Sequence, residues 1–239
     1  QSPVSNKEGM SFPQGLENRN IALWASHGYY YEASQDRWEW QRARLFETVE
    51  DIYPFTFMTN YIIPMLEDAG AYVFHARERD LQNHEVIVDN NGSTGNSQFV
   101  TEGASGAWSE IPNHGYAKQD TLKMGDNPFR KGSYLTCEAA GDSSARATYI
   151  PDIPESGEYA VYVSWGKEAD AMTSVPCYVE HSGGQTHFAL NQQMAYGTWV
   201  YLGTFHFDQG INPESGAVVI GPVEGYEGSF SVDAVRFGG

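Results

Sequence analysis

The chain has 239 residues and a formal net charge of −17, with 31 Asp and Glu against 14 Lys and Arg. Because it has no run of basic residues, nucleic acid and anionic membranes are excluded as expected partners. No stretch approaches the roughly 18 consecutive apolar residues of a transmembrane segment. The 15 Tyr, 6 Trp and 25 Gly favour β-structure joined by turns. This acidic, aromatic-rich composition and the polar start at Gln1 lead us to expect an exported protein, periplasmic or extracellular.

The cysteine content leaves two interpretations open. Cys137 and Cys177 could form a disulfide in an exported protein, or they could be two small buried thiols. No C-x-x-C motif is present, which excludes a cysteine-based zinc site.

An apolar run over residues 20–26, after a polar lead-in over residues 1–19, predicts a buried strand. The run is followed by His27 and Gly28, and the glycine allows the chain to turn at once. Ligands of open α/β sheets bind at the carboxyl ends of the strands, so His27 is a candidate metal ligand or general base. The alternative interpretation is a histidine that only satisfies the turn.

Two helices and a second strand are predicted to follow. Apolar residues at helical spacing predict one helix over residues 38–52 and another over 55–69, in which Pro64 should produce a kink or a break. Residues 71–76 then predict a second buried strand. The order strand, helix pair, strand predicts a parallel, right-handed βαβ-like unit over 20–84. Two strands leave most of a parallel sheet missing, so this unit is expected to be partial.

Carboxylates on the first predicted helix could form a metal site with His27. Glu47 and Glu50 are three residues apart and would share one helix face. A histidine nitrogen and a carboxylate oxygen are ligands that zinc accepts in tetrahedral geometry. His75 on the second strand could lie nearby, although a histidine in that context is more typical of core packing. No convincing third ligand is found in this part of the chain.

From residue 85 onward the pattern changes to short strands separated by turns. Residues 91–106 and 112–133 are predicted as loops, and Gly183-Gly184 indicates a hairpin. The absence of a helical pattern predicts a jelly-roll-type β-sandwich over 85–239. The predicted fold class is therefore α/β plus all-β. The predicted strands are 85–88, 134–138, 145–150, 158–165, 174–180, 186–191, 197–207, 216–221 and 229–237.

Four aromatic residues could form a sugar-binding surface, because aromatic faces pack well on the C–H faces of sugars. The alternative interpretation is core or rim packing. Asp89 and Asp233 are interpreted as turn and strand-end residues, and no catalytic residue is predicted. The four aromatic candidates are Trp108, Trp165, Tyr196 and Trp199.

Several segments of the first part resemble a group of bacterial xanthan-lyase-like proteins, whose catalytic module is similar to zinc-dependent N-acetylmuramoyl-L-alanine amidases. The resemblance implies that His27 is the first zinc ligand and Glu50 the second, with Glu47 as the fallback. The later histidine ligand and the catalytic glutamate of those amidases have no counterpart in this chain. Zinc is therefore expected in the complete protein and expected to be absent or weakly bound here. The segments are 22–28 (Ala-Leu-Trp-Ala-Ser-His-Gly), 38–46, 48–51, 64–71 and 77–80.

Segments of the second part are similar to the golvesin C-terminal-like domain, which is also described as a carbohydrate-binding-like domain. The resemblance covers residues 85–239 and implies a β-sandwich inserted into the amidase-like module. The segments are 156–165, 191–193, 197–207 and 232–237.

The sequence therefore predicts part of an exported, cell-wall-directed or polysaccharide-directed protein. It would be amidase-like, carry a glycan-binding-like β-sandwich, and be inactive as this chain alone. The expected partner is peptidoglycan or another polysaccharide, and the exposed sheet edge could pair with another copy in a homo-oligomer. Two alternatives stay open. One is a non-catalytic carbohydrate-binding module. The other is a xanthan-type polysaccharide lyase, which ranks last because no basic residues cluster in the sequence to neutralise a uronate.

Overall fold

The computed structural model describes residues 2–6, 15–25, 27–32, 34–77, 79–121, 123, 125–138, 144–221 and 228–239. The chain forms two compact units. The N-terminal unit consists of Gln1–Ser2 and Met10–Arg79, and the sandwich unit consists of Pro3–Gly9 and Asp80–Gly239. None of the described helices is long and apolar enough to cross a membrane.

The secondary-structure elements are numbered in chain order. The strands are β1 (Val4–Asn6), β2 (Asn20–Leu23), β3 (Tyr29–Glu32), β4 (Arg37–Trp40), β5 (Tyr72–His75), β6 (Glu85–Asp89), β7 (Gln98–Glu102), β8 (Trp108–Gly115), β9 (Gly132–Glu138), β10 (Arg146–Ile150), β11 (Asp152–Ile153), β12 (Gly157–Val163), β13 (Val175–His181), β14 (Gly184–Leu190), β15 (Val200–Phe207), β16 (Gly210–Ile211), β17 (Ala217–Ile220), β18 (Ser229–Val232) and β19 (Ala234–Gly238). The helical segments are α1 (Ile52–Phe57), a π-helical turn (Met58–Ile62), α2 (Ile63–Asp68) and a short 3₁₀ helix (Pro128–Arg130).

The N-terminal unit contains the predicted pair of parallel strands. β2 pairs with β5 in parallel, with Asn20 opposite Tyr72, and the helical run connects them. Ile63, Ala71 and Val73 form the buried core beneath this crossover. Of the predicted order of strand, helix pair and strand, the two strands and the second helix form and the first helix does not; within the described residues the sheet has these two strands. The expected pairing of its edge with another copy stays a prediction.

A continuous helical run contains Pro64, which was expected to kink or break it. The N–H of Ile63 donates to the carbonyl of Met58, five residues earlier. Proline has no N–H to donate, and its ring clashes with the carbonyl four residues before it in a regular α-helix. The wider π-helical turn immediately before Pro64 accommodates both effects.

The helix predicted over residues 38–52 is wrong. β4 occupies its beginning and pairs antiparallel with β3, and the rings of Tyr29 and Trp40 lie 4.9 Å apart across the pair. Aromatic residues favour strands, where rings on neighbouring strands contact each other. Phe46 and Glu47 then adopt φ values of 49° and 63°, which an α-helix cannot contain.

The sandwich unit is built from antiparallel sheets. The two largest have the strand orders β1-β14-β13-β17-β10-β7 and β15-β12-β19-β6, and smaller sheets have the orders β18-β9-β8 and β11-β16. Inward residues alternate along β13, where Val175, Cys177 and Val179 are buried. Phe188 of the first sheet and Phe205 of the second have ring centroids 6.3 Å apart. These facing sheets confirm the β-sandwich part of the predicted fold class.

Five strands of the sandwich unit lie where none was predicted, and two of them, β11 and β16, have only two residues each and pair with each other. β1 comes from the predicted lead-in and pairs with β14. β7 lies inside the predicted loop 91–106, and β8 extends into the predicted loop 112–133. β7 and β8 are mostly exposed, so they lack the apolar alternation that identifies a half-buried strand. The loop predictions there are wrong for that reason.

Both cysteines are buried thiols that do not pair with each other. Cys177 lies on β13 and Cys137 on β9, in different sheets. Burial raises the pKa of the Cys177 thiol, so it stays protonated and packs as a small apolar side chain. The sequence left open a disulfide or two buried thiols, and the structure agrees with the two buried thiols.

The strand predicted over residues 229–237 is two strands in different sheets. β18 pairs with β9, whereas β19 pairs with β12 and β6. Asp233 lies between them and is buried, which raises its pKa to about 7. Its Oδ1 accepts from the Tyr116 N–H at 2.9 Å and its Oδ2 from the Ser164 hydroxyl at 2.9 Å. The Tyr149 hydroxyl donates to the Asp233 carbonyl at 3.2 Å.

Gln192 should contribute measurably to the stability of the segment in which the chain passes from β18 to β19. Its Nε2 donates to the Ser231 carbonyl and its Oε1 accepts from the Ser231 N–H, both at 2.8 Å. Gln192→Ala leaves both buried backbone groups unpaired, so we expect the free energy of unfolding to fall by about 2–4 kcal/mol. Chemical denaturation followed by tryptophan fluorescence measures this, with the exposed Gln119→Ala as control. Equal losses for the two variants would contradict the role of Gln192.

Candidate functional site

The sandwich unit carries an open cleft of about 560 Å³, within the range of ligand clefts, roughly 300–1,000 Å³. The described lining residues include an exposed aromatic ring, two permanently cationic side chains and a histidine, and no carboxylate. They are Ile111, His114, Asn127, Phe129, Arg130, Tyr134, Gly166, Lys167, Tyr196 and Gly197.

One wall of the cleft is the short 3₁₀ helix that carries Arg130. The Asn127 Oδ1 accepts from the Phe129 N–H at 3.0 Å and so begins the helix. The Phe129 ring is buried, with centroids 5.3 Å from both Tyr116 and Trp199. Because Phe129 anchors the helix in the core, the adjacent Arg130 is held at the cleft with its side chain exposed.

The floor of the cleft depends on a close approach between Tyr134 and Gly166. A Cβ on Gly166 would lie 2.3 Å from the Tyr134 ring, so a larger residue would displace that ring. The Tyr134 hydroxyl donates to the Lys167 carbonyl at 3.1 Å. Burial, followed by the neighbouring Glu168 carboxylate, raises the pKa of Tyr134, and the phenol is therefore neutral at physiological pH.

The turn that presents Tyr196 is held by Trp165. The indole Nε1 donates to the Met194 carbonyl at 3.1 Å, and the Trp165 carbonyl accepts from the Gly197 N–H at 3.0 Å. These two bonds fix the chain on both sides of Tyr196, whose side chain is 45% exposed. Gly197 has a φ of 63°, a conformation that glycine adopts without strain.

The cleft is locally positive in an acidic chain. The Lys167 Nζ lies 5.2 Å from the Tyr196 ring centroid, within cation–π distance. Within the described residues no carboxylate forms an ion pair with Arg130 or Lys167. Three other cations of this unit do form ion pairs, namely Lys118 with Glu85, Lys131 with Asp126 and Arg146 with Glu102. The cleft that contains the exposed Tyr196 ring is therefore lined by two cations that have no carboxylate partner among the described residues.

The four aromatic residues predicted to bind sugar have different positions. Tyr196 lines the cleft. Trp165 has 0% exposure, so it cannot offer a face to a sugar, and its predicted binding role is corrected to one of positioning. Trp199 is half-buried against Phe129, with the Arg236 guanidinium 5.6 Å from its ring. Trp108 is half-buried and is not among the residues that line the cleft.

Trp108 has its own local partners. Its Nε1 donates to the Glu102 carbonyl at 3.0 Å, and its ring contacts Phe230 edge to face at 5.4 Å. Its binding role stays a prediction.

Sequence reasoning missed Arg130, Lys167 and His114 as residues of one cleft. His114, Arg130 and Lys167 come from separate segments of the chain and have no characteristic spacing. The one local signal is Asn127 followed by Pro128, which is typical of a helix start. That signal places Arg130 at the end of a short helix and does not place it beside Lys167.

In the N-terminal unit, His27 contacts a buried carboxylate. Its Nδ1 lies 3.1 Å from the Asp51 Oδ1, and its Nε2 lies 3.2 Å from the Arg42 guanidinium. A guanidinium only donates, so Nε2 is the acceptor and Nδ1 carries the ring proton. Asp51 has 0% exposure, and its Oδ2 accepts from the Arg42 N–H at 2.9 Å. The Nδ1–Oδ1 contact is electrostatic, because its geometry is not that of a hydrogen bond.

The His27 and Asp51 side chains offer two donor atoms of the kinds that zinc accepts. The His27 Nδ1 and the Asp51 Oδ1 are buried, and neither has a hydrogen-bond partner. Neither Glu50 nor Glu47 is among the described contacts of His27, and both are exposed. Within the described residues no group of three His, Cys, Asp or Glu side chains could hold a metal ion. A catalytic zinc needs three protein ligands, so the described residues do not fit one.

Comparisons with known proteins concern the sandwich unit. A profile of the Golvesin C-terminal domain matches residues 86–238. A curated xanthan lyase from Bacillus sp. (strain GL1) is 32% identical over 157 residues, which are 64% of this chain and 14% of that enzyme. The solved Paenibacillus xanthan lyase is 29% identical with a TM-score of 0.47, over 64% of this chain and 13% of that one. The isomalto-dextranase of Arthrobacter globiformis T6, complexed with panose, is 14% identical with a TM-score of 0.33, over 67% and 31%.

Trp165→Phe should loosen the turn that presents Tyr196. The change removes the indole N–H that donates to Met194 and keeps most of the buried ring. We expect faster amide hydrogen exchange at Gly197, by about fivefold, because one of the two bonds that hold the turn is lost. Exchange measured by NMR tests this, with Trp24→Phe, an exposed tryptophan of the N-terminal unit, as control. Unchanged exchange at Gly197 would contradict the positioning role of Trp165.

Proposed function

Because this chain belongs to the golvesin C-terminal domain family, we propose that its sandwich unit binds an acidic polysaccharide through the cleft. The observation that carries the proposal is the meeting of the exposed Tyr196 ring with Arg130 and Lys167, two cations without carboxylate partners among the described residues. The similar xanthan lyase of Bacillus acts, by its name, on a polysaccharide. That similarity supports a polysaccharide as the partner.

The aromatic ring and the cations have complementary tasks. A half-exposed tyrosine offers an apolar face to the C–H face of a sugar. Arg130 and Lys167 can bind a carboxylate on the same or the next sugar, and an arginine can do so through two parallel hydrogen bonds. Asn127 and His114 add hydrogen-bonding groups that could contact hydroxyls. A neutral glucan would use the tyrosine and leave the two cations without a partner.

The net charge of −17 does not rule out an anionic ligand. Charges separated by more than about 8 Å are largely screened at physiological ionic strength. The cations of the cleft act on a bound carboxylate at contact distance, and no carboxylate is among the described residues that line the cleft. Arg130 and Lys167 are distant in the sequence and line one cleft in the folded chain. The lack of a basic cluster in the sequence, which was the reason for ranking the xanthan-type lyase last, is therefore no argument against binding of a uronate.

A binding role fits the cleft better than lyase chemistry does. A lyase needs a base that accepts a proton from the sugar carbon, and Tyr134, whose pKa is raised by burial, is a poor one. The chain also spans 14% of the xanthan lyase it matches. We therefore assign the chain a binding role and keep lyase activity as an outcome of the test below.

Tyr196→Ala should lower the affinity for acidic polysaccharide by at least about tenfold, because stacking on the ring is lost. Lys167→Gln and Arg130→Gln should each lower it by about fivefold to tenfold, and should leave binding to a neutral glucan unchanged. Isothermal titration of the full chain with xanthan, peptidoglycan and dextran measures these effects. Tyr61→Ala, an exposed tyrosine of the N-terminal unit, is the matched control and should bind like the parent.

Three results would contradict the proposal. They are the absence of saturable binding to any glycan, equal losses for Tyr196→Ala and Tyr61→Ala, and stronger binding to dextran than to xanthan. Release of an unsaturated product from xanthan by this chain would replace binding with the lyase alternative.

A second candidate function concerns the N-terminal unit and is amidase-like. The specific observation in its favour is the buried contact between His27 and Asp51, because both facing atoms lack a hydrogen-bond partner. In a complete site these two residues would hold a zinc ion, which polarises an amide carbonyl and activates water. Asp51 takes the place that the resemblance gave to Glu50. For this candidate function we also expect the protein to be exported and to bind peptidoglycan.

The chain alone should not hydrolyse peptidoglycan. With His27 and Asp51 as the described donors, zinc would lack a third protein ligand. We expect no release of peptide from peptidoglycan at equimolar zinc, and no zinc retained after gel filtration. Turnover that requires zinc, and is lost in His27→Ala, would contradict this expectation and would show that the chain completes the site.

A further inference from the structure

The turn after β6 buries a carboxylate without a partner. Asp89 ends that strand and has 3% exposure. Both of its carboxylate oxygens are shielded from solvent, and neither has a hydrogen-bond partner. Burying an ionised carboxylate without compensation costs several kcal/mol. A native fold keeps such a group when another positive species is bound there or when the group takes up a proton.

A second buried carboxylate lies beside the first. Ala234 is the register partner of Asp89, which places Asp233 one residue along the neighbouring strand. Asp233 has 1% exposure. Within the described residues no Lys, Arg or His side chain forms an ion pair with either carboxylate. Two buried carboxyl groups thus share an interior site in which the described residues supply no cationic partner, and burial, followed by the charge of Asp233, raises the pKa of Asp89 to about 8.

The same turn supplies further oxygen atoms. The Asn90 Oδ1 is buried and has no hydrogen-bond partner, while the Asn90 Nδ2 donates to the Ser133 hydroxyl at 2.9 Å. Three acceptor atoms of two consecutive residues are therefore buried and unused. Asn90 is half-buried and Asn91 is exposed, which gives the turn a route to solvent.

The turn is ordered by contacts that do not involve these free oxygens. The Asp89 N–H donates to the Ser93 hydroxyl at 3.1 Å. The Asn91 Oδ1 accepts from the Ser133 N–H at 2.5 Å, which ties the turn to the start of β9. A ligand would therefore meet oxygens that the fold already holds in place.

We propose that this turn is a calcium site, with the Asp89 carboxylate and the Asn90 Oδ1 as ligands and the Asp233 carboxylate as the second negative charge. Carboxylate and amide oxygens are the ligands of hard cations, and calcium accepts them in flexible geometry with water completing its shell. Magnesium requires a stricter octahedral arrangement. Zinc prefers nitrogen and sulfur donors, and neither a His nor a Cys is among these groups. This inference does not rest on glycan binding by the cleft.

The test is calcium titration of the full chain after dialysis against a chelator. Calorimetry should show binding of one calcium per chain, with a dissociation constant near that of extracellular modules, roughly 10⁻⁴–10⁻³ M. The melting temperature should rise by about 5 °C or more at hundredfold excess over the dissociation constant. Magnesium and zinc at the same concentration should produce less than half of that rise.

Two variants make the test specific. Asp89→Asn keeps the shape of the side chain and removes its charge, so it should abolish the calcium-dependent rise and melt no lower than the parent in chelator. Asp120→Asn changes an exposed aspartate of the same unit and should keep the full rise. If the calcium-dependent rise in melting temperature is retained in Asp89→Asn, or lost in Asp120→Asn, the proposed site is overturned.

Terbium luminescence keeps the proposal testable if Asp89→Asn does not fold. Terbium bound to the parent chain should give a sensitised signal that calcium displaces at its own dissociation constant. A parent chain with no heat of binding, no shift in melting temperature and no displaceable terbium signal at about 10 mM calcium, ten times the upper expected constant, would overturn the proposal.

Discussion

The sandwich unit depends on the point where the chain passes from one sheet to another at Asp233. Backbone groups that leave one sheet and have not yet joined the next must find partners in the interior. Asp233 accepts from Ser164, and Gln192 holds both backbone groups of Ser231. The Ser231 hydroxyl in turn accepts from the Gly166 N–H at 3.1 Å. This buried polar network fixes the end of β12 and the chain that follows it.

The cleft is a consequence of that network. The segment after β12 carries Trp165, Gly166 and Lys167 in succession. The first holds the Tyr196 turn, the second leaves room for the Tyr134 ring, and the third supplies a cation. A buried and rigid support with exposed binding groups is the arrangement that preserves affinity, because little order has to be created on binding. Because the chain as a whole is acidic, the positive charge of these two cations distinguishes the cleft from the rest of the chain.

Much of the fold could be predicted from local patterns. Short strand-like segments separated by turns predicted most strands of the sandwich unit, Gly183-Gly184 predicted the hairpin between β13 and β14, and the apolar runs around β2 and β5 predicted the parallel pair. The helix over 38–52 failed because Leu45, Val49 and Ile52 fall at helical spacing by coincidence. The contacts of Tyr29 with the tryptophans of β4 are favourable in a hairpin and have no counterpart in a helix.

The candidate site was much less predictable. Aromatic type alone does not distinguish Trp165, which is in the core, from Tyr196, which is at the surface. The difference arises from the positive φ values around the Tyr196 turn and from its two hydrogen bonds to Trp165. Arg130 and Lys167 come from separate segments and line the same cleft only in the folded chain. No local spacing of residues in the sequence predicts that arrangement. Asp51 was missed as the partner of His27 because the assumed helix directed attention to Glu47 and Glu50.

The most direct test of the account is an NMR titration of the full chain with a short acidic oligosaccharide that contains uronate. The account predicts that the largest amide shifts fall on Arg130, Lys167, Tyr196 and Gly197, with saturation at one ligand per chain. Shifts centred on the strand of Trp108, or confined to the N-terminal unit, would contradict the assignment of the cleft as the glycan-binding site.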